Sequence, residues 1–178
     1  MALHRYTSID DYIAFLQKTR SEVEALSQDL LIKVTTFFRD AEAFAALRKK
    51  IFPAIIKHRR TPESIRIWIP GCSTGEEVYS IGMCLIETLG DEAQGLQCQI
   101  FGTDISEAAL DKARNGFYPE NIKDDVSPER LRRFFIKTAE GYRISKAIRE
   151  MCIFARQDLT KDPPFSKLDL ISCCNLLI

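Results

Sequence analysis

An α/β fold on a parallel sheet is what this sequence predicts, and two stretches carry the prediction. Ser64 to Pro70 has apolar side chains at Ile65, Ile67 and Ile69 in a period of two; Gly71 and Gly75 then bracket a small-residue loop, and Val78, Ile81 and Leu85 open a helical period. Gln97 to Asp104 reads as a second strand that ends in a carboxylate, and an amphipathic stretch with Ala109, Leu110 and Ala113 follows it. Strand-helix units in succession make a parallel sheet with crossover helices. At 178 residues, 46% hydrophobic and 28% charged, the chain can bury one core.

The other elements follow in order. Ser8-Ile9-Asp10-Asp11 starts a helix carrying Tyr12, Leu16, Val23 and Leu26, and Asp40 starts another with Phe44, Leu47 and Ile51, which Pro53 bends or ends. Residues 1–60 are thus an N-terminal helical segment and connector, closing on a basic, solvated joint at Lys57-His58-Arg59-Arg60-Thr61-Pro62. Residues 61–178 form the α/β domain. An insertion at about 117–150 interrupts it: Ser127-Pro128-Glu129 starts a short helix through Leu131, Phe134 and Phe135, and Gly141-Tyr142-Arg143-Ile144 suggests a hairpin after the short loop Lys137–Gly141. Arg130, Arg132 and Arg133 read as a charged helix face. Cys152 to Ala155 is a third strand of the main sheet, and Leu168 to Asn175 the fourth.

Composition narrows the function. Lys and Arg balance Asp and Glu at 25 each, so nothing suggests nucleic acid. No signal peptide and no run of about 18 apolar residues occurs, which predicts a cytoplasmic protein with no membrane insertion. The cysteines at 72, 84, 98, 152, 173 and 174 lack C-x-x-C spacing, and three fall on predicted strands; they read as reduced thiols with no metal site.

The glycine loop discriminates among ligands. A phosphate-gripping P-loop needs Lys-Ser/Thr after its last glycine, where this chain has Glu76-Glu77. Dinucleotide folds want G-x-G-x-x-G, which is absent here. Gly71-Cys72-Ser73-Thr74-Gly75 matches the hydrolase elbow G-x-S-x-G, but both histidines, His4 and His58, precede Ser73, whereas that triad places its histidine last. A ligand with a cationic amine and a ribose but no phosphate suits an acid at the loop and a second acid at the next strand tip; S-adenosylmethionine is such a ligand. Asp104 can accept from both ribose hydroxyls. Alternatively it caps the helix after it.

Val34-Thr35-Thr36-Phe37-Phe38-Arg39-Asp40, the loop Gly71 to Ser80, Gly102-Thr103-Asp104-Ile105-Ser106 and Leu168 to Ile178 together resemble the CheR family of chemoreceptor methyltransferases, closest to the CheR half of CheB/CheR fusions. The resemblance implies a class I S-adenosylmethionine methyltransferase, Rossmann-like in its sheet, that forms methyl esters on glutamates of methyl-accepting chemotaxis receptors, with the receptors' cytoplasmic helices as partners and a CheB-like methylesterase domain in the parent protein. It places Thr35 and Arg39 over the methionine end of the cofactor, the backbone of Gly71, Cys72 and Ser73 along the methionine moiety, and Glu76 on its ammonium group. Asp104 holds the ribose; Ile105, Gln157, Asp158 and Leu159 border the adenine. Asn175, with Leu176 beside it, lies near the transferred methyl, and Arg39 and Asn175 are the catalytic candidates.

Two departures qualify the likeness. The family's Cys-Arg-Asn is Cys173-Cys174-Asn175 here, and a thiol does not replace a guanidinium. The family sheet has seven strands, so roughly three are expected beyond Ile178, and only the last portion of the N-terminal helical domain is represented; the chain is expected to be incomplete at both ends. A cofactor-binding or scaffolding remnant without turnover is therefore the alternative to an active enzyme.

Overall fold

The computed structural model describes residues 9–23, 26, 35–58, 64–90 and 97–176. Ser8, Val34, the joint at 59–63 and Leu177-Ile178 lie outside the described residues. The chain divides into two compact units, Met1–Val34 and Thr35–Ile178.

In the first unit, helix α1 (Ile9–Lys18) is shorter than its apolar period predicts. Thr19 donates to the Leu16 carbonyl three residues back, and its own carbonyl accepts from Glu22 and Val23, so the ladder tightens and restarts at this β-branched residue. Tyr12 is buried, and its hydroxyl donates to Glu22 at 3.0 Å.

The second unit begins with the predicted cap. Asp40 accepts from the Ala43 N–H at 3.1 Å and opens α2 (Ala41–Ala46). Pro53 does not end the helical run. Leu47–Ile51 forms a π turn in which the Phe52 N–H reaches the Leu47 carbonyl, and this wider turn takes up the proline so that α3 (Phe52–His58) continues.

The main sheet is parallel, in the order β6-β2-β1-β7: β1 (Ile65–Pro70), β2 (Cys98–Asp104), β6 (Cys152–Arg156) and β7 (Leu170–Ile171). Ile65, Ile67, Ile69 and Ile100 point to one face, where they pack on Val78, Ile81 and Leu85 of α4 (Glu76–Leu89) and Leu110 of α5 (Glu107–Asn115). On the other face the Trp68 indole donates to the Thr103 hydroxyl at 3.0 Å, and Phe165 stacks on Phe101 at 4.7 Å. The fourth strand is much shorter than predicted: Leu170 and Ile171 pair with β1, the Asp169 and Ser172 N–H groups donate to the Arg66 and Trp68 carbonyls at either end, and the chain departs after Ser172. Of the six cysteines, all free thiols, only Cys98 and Cys152 therefore sit on strands, not three.

The insertion is a three-stranded antiparallel sheet, β3 (Phe117–Pro119), β5 (Gly141–Ile144) and β4 (Phe135–Lys137), with helices α6 (Pro128–Phe134) and α7 (Lys146–Arg149). Ser127 caps α6 and Pro128 occupies its first turn, as predicted. Its core joins Tyr118, Ile122, Phe134, Phe135 and Ile144 to Tyr79 and Met83 of α4, and to Phe37 from the segment before α2. No described helix is long and apolar enough to cross a membrane.

Candidate functional site

The loop after β1 turns by adopting positive φ three times, at Gly71 (66°), Ser73 (48°) and Gly75 (92°). The Cys72 N–H donates to the Thr103 carbonyl at 3.0 Å, which fastens the loop to the tip of β2, and the Gly75 N–H closes the turn on the Cys72 carbonyl. A Cβ at Gly71 would lie 2.9 Å from a Leu176 methyl, so the two predicted site residues are in contact. Burial pushes the Cys72 thiol far up, with Asp104 adding to the effect, so it stays neutral.

Asp104 spans two loops. One carboxylate oxygen accepts from the Ser73 N–H at 2.8 Å and the other from the Ser106 N–H at 2.8 Å. The cap of α5 is Ser106, whose hydroxyl accepts from the Ala109 N–H; Asp104 is not the cap. The Gln157 N–H donates to the Asp104 carbonyl at 3.0 Å, so the chain leaving β6 runs beside it. Gln157 uses its side-chain N–H on the Pro163 carbonyl, and its side-chain oxygen is buried without a partner among the described residues, as is the Ser73 hydroxyl. Asp158 is engaged locally: Thr160 and Lys161 bond its carboxylate and pull it down to about 2. Ile105 and Leu159 are 44% and 41% exposed.

Glu76 and Glu77 open α4. Burial raises the Glu76 carboxyl above its ordinary 4.5, against the opposing pull of the Thr74 hydroxyl, which donates to both oxygens at 2.9 and 2.7 Å. Among the described residues no salt bridge reaches Glu76. Burial raises Glu77 as well, opposed by a 2.6 Å bond from the Ser172 hydroxyl. That bond pins the start of the segment carrying Asn175, which has φ 52° and is exposed.

The Thr35–Asp40 segment lies against the first turns of α4. The Phe38 N–H donates to the Ser80 hydroxyl at 3.2 Å, and Ser80 donates to the Glu76 carbonyl at 2.7 Å. Thr35 is half-buried and Arg39 exposed. Direct bonds or contacts thus link Gly71 to Leu176, Cys72 to the tip of β2, and Ser73 and Gln157 to Asp104, at the carboxyl ends of β1, β2 and β6; Glu76 joins through Thr74, Ile105, Asp158 and Leu159 follow in sequence, and Thr35, Arg39 and Asn175 are tied in only through neighbours.

Three participants escaped the sequence reading. Thr74 orients Glu76; Tyr118, on β3 of the insertion, donates from its hydroxyl to the Thr74 carbonyl at 2.8 Å; and Ser172 holds Glu77. Thr74 and Glu77 are visible as loop residues, but nothing local marks Tyr118 or Ser172 as belonging with them.

Residues 33–178 match the family model described as CheR methyltransferase, SAM binding domain. The chain is 34% identical over its whole length to an uncharacterized 104.1 kDa protein in the hypE 3' region of Rhodobacter capsulatus, of which it covers 19%. It is 32% identical to a chemotaxis protein methyltransferase of Borreliella burgdorferi, over 97% of this chain and 64% of that protein. With the Escherichia coli chemotaxis protein methyltransferase the identity is 31%, over 93% and 53% of the two chains. The chain spans less than two thirds of the length of each of these relatives. A family match over residues 33–178, on a parallel α/β sheet, makes this chain a member of the CheR methyltransferase family and a carrier of its S-adenosylmethionine-binding domain.

Proposed function

We propose that the domain binds S-adenosylmethionine for O-methylation of glutamate side chains on chemotaxis receptors, on the cytoplasmic side where the receptors present their signalling helices. The observation that carries the reading is Glu76: a carboxylate raised by burial, with no cation among the described residues bridged to it, one turn of loop away from Asp104. The names of the relatives, chemotaxis protein methyltransferases, support the receptor as acceptor.

The residues fit the cofactor. Glu76 suits an ammonium group, the free lone pairs of Asp104 suit a ribose diol, the unpartnered Ser73 hydroxyl and Gln157 side-chain oxygen offer a donor and an acceptor, and Ile105 and Leu159 offer apolar cover for a purine. When bound, S-adenosylmethionine supplies a methyl group already activated on a sulfonium. The receptor carboxylate is ionised near neutral pH, so no general base is required. What remains for the protein is orientation: Arg39 steers the incoming carboxylate and Asn175 lines the methyl wall, an effect worth roughly 7–11 kcal/mol in favourable cases. A second reading, binding without turnover, is favoured by the exposed thiol of Cys174 where the family has arginine. Methyl transfer from labelled cofactor to a receptor cytoplasmic fragment separates the two.

The raised Glu76 sets a pH dependence. A carboxyl whose folded value lies above its ordinary 4.5 binds more protons folded than unfolded, so its contribution to stability falls as pH rises through that window. Pairing with an ammonium group needs the ionised form. Affinity for S-adenosylhomocysteine is therefore expected to fall as pH drops through the raised Glu76 value, with a proton released on binding inside the window. Glu76→Gln should melt higher at neutral pH, bind S-adenosylhomocysteine about 10- to 100-fold more weakly and lose this pH dependence. Calorimetric titration at several pH values checks it, and unaltered affinity in Glu76→Gln removes the main support of the proposal.

A further inference from the structure

The Thr35–Arg39 segment has no regular structure, and at its centre Phe38 holds φ 52°, unfavourable for a bulky L residue. Its neighbours on the chain are fixed from the insertion. Phe37 is buried between Tyr118 and Phe135, with ring centroids 4.8 and 5.6 Å away. The Phe38 ring meets Phe44 edge-on at 5.2 Å and carries the Arg130 guanidinium over its face, 3.9 Å from the centroid.

Arg130 has no freedom to be elsewhere. Its Nε and Nη2 donate to the two oxygens of Glu87 at 2.8 and 2.9 Å, fork against fork, and Arg48 bonds Glu87 at 3.1 Å from the other side. The side chains of Arg130 and Glu87 are only 19% and 16% exposed. Although burial pushes Glu87 up, the bonds from Arg130 and Arg48 outweigh it and hold the carboxyl below its ordinary range, so it stays ionised as a platform for both arginines. Arg132, two residues on, is 73% exposed and meets Glu129 at 3.5 Å. The charged face predicted for α6 is therefore not uniform: Arg132 is solvated, Arg133 lies over the Phe134 ring at 4.9 Å, and Arg130 turns inward onto the segment that precedes α2.

We propose that Arg130 is a positioning residue: braced by Glu87, it clamps Phe38 and thereby sets Thr35 and Arg39 over the cofactor loop, so that the insertion, rather than the sheet, fixes this cap. The inference rests on the reading that Thr35 and Arg39 cover the methionine end of the cofactor. A guanidinium stacked on a ring and forked onto a carboxylate is not replaced by an ammonium group, so lysine does not substitute for it.

The test is titration of S-adenosylhomocysteine into the wild type, Arg39→Ala, Arg130→Met, Arg130→Lys, Phe38→Leu and the Arg39→Ala/Arg130→Met double variant, with the melting temperature of each. Phe38→Leu removes the stacking platform and leaves the Arg130-Glu87 pair intact, so it reports on positioning even where loss of Arg130 harms folding. Arg130→Met, Arg130→Lys and Phe38→Leu are each expected to weaken binding about 5- to 10-fold. The double variant should lose less affinity than the sum of the two single losses, because part of what Arg130 does is carried by Arg39 and only the part carried by Thr35 adds. Arg39→Ala weak with Arg130→Met and Phe38→Leu both at wild-type affinity, only the melting temperature falling, overturns the inference and leaves the cap reading standing; strictly additive losses in the double variant do the same. Wild-type affinity in Arg39→Ala overturns both.

Discussion

Asp104→Ala is expected to weaken S-adenosylhomocysteine binding at least about 100-fold and to lower stability at the same time. Hydrogen bonds to a charged acceptor contribute about 1.5–3 kcal/mol each, and two ribose hydroxyls would lose theirs together. The carboxylate also serves the protein itself: it accepts from the Ser73 and Ser106 amides, 31 and 2 residues away in sequence. Ser106 is 4% exposed, so its amide finds no easy substitute in water, and each amide left without an acceptor costs about 1–3 kcal/mol. Asp104→Asn separates the two roles, because its oxygen can serve one amide while its NH₂ opposes the other; it should lose less stability than alanine and still bind the ligand at least about tenfold more weakly. Calorimetric titration beside a thermal melt reads both quantities. An alanine variant that melts lower yet binds with wild-type affinity would make Asp104 a loop tether and nothing more.

The same residue shows how far the sequence could be read. A carboxylate at the end of an apolar strand beside a glycine loop is a local pattern: Asp104 ends β2 and accepts from the loop amide of Ser73, while the cap of the following helix is Ser106. Strands β1 and β2 were legible because Ile65, Ile67 and Ile69 face one core, so burial imposes the period of two. The fourth strand was not, since Leu170, Ile171, Cys173 and Cys174 are all apolar or small, and nothing in their order reveals that only Leu170 and Ile171 take ladder positions opposite β1, with Asp169 and Ser172 bonding at either end. Pro53 left two outcomes open, a bend or an end, and the second does not occur: the π turn at Leu47–Ile51 precedes it and the helical run goes on, a property of the hydrogen-bond ladder with no residue signature. In the site, the unread part is long-range: Ser172 meets Glu77 across 95 residues and Tyr118 meets Thr74 across 44. Arg130 was visible only as one positive charge among three, because stacking on Phe38 depends on how the insertion folds back.

Gly75→Ala is the substitution expected to cost the most stability. Gly75 has φ 92° at the start of α4, a conformation that costs an L residue about 1–2 kcal/mol. A Cβ there would also lie 2.9 Å from the Ala113 Cβ and 3.3 Å from both the Ala113 Cα and the Tyr118 hydroxyl oxygen. Two of those three atoms belong to a packed helix, so the overlap cannot be relieved by rotating a side chain, and overpacking of this kind adds about 1–3 kcal/mol. Together the terms predict a loss of about 2–5 kcal/mol, or a melting temperature lower by roughly 5–15 °C for a unit of this size. Binding should suffer as well, because pressure on the Tyr118 hydroxyl acts on its bond to the Thr74 carbonyl, and Thr74 is the residue that orients Glu76. Adding Ala113→Gly removes the facing methyl but leaves the backbone angle unchanged. The double variant should therefore recover part of the overlap cost, less about 1 kcal/mol for a glycine inside α5, and none of the conformational cost. A single variant that melts within about 2 °C of wild type would mean that the loop has an alternative path between β1 and α4, and the tight approach of Gly75 to α5 would then not be what shapes the cofactor loop.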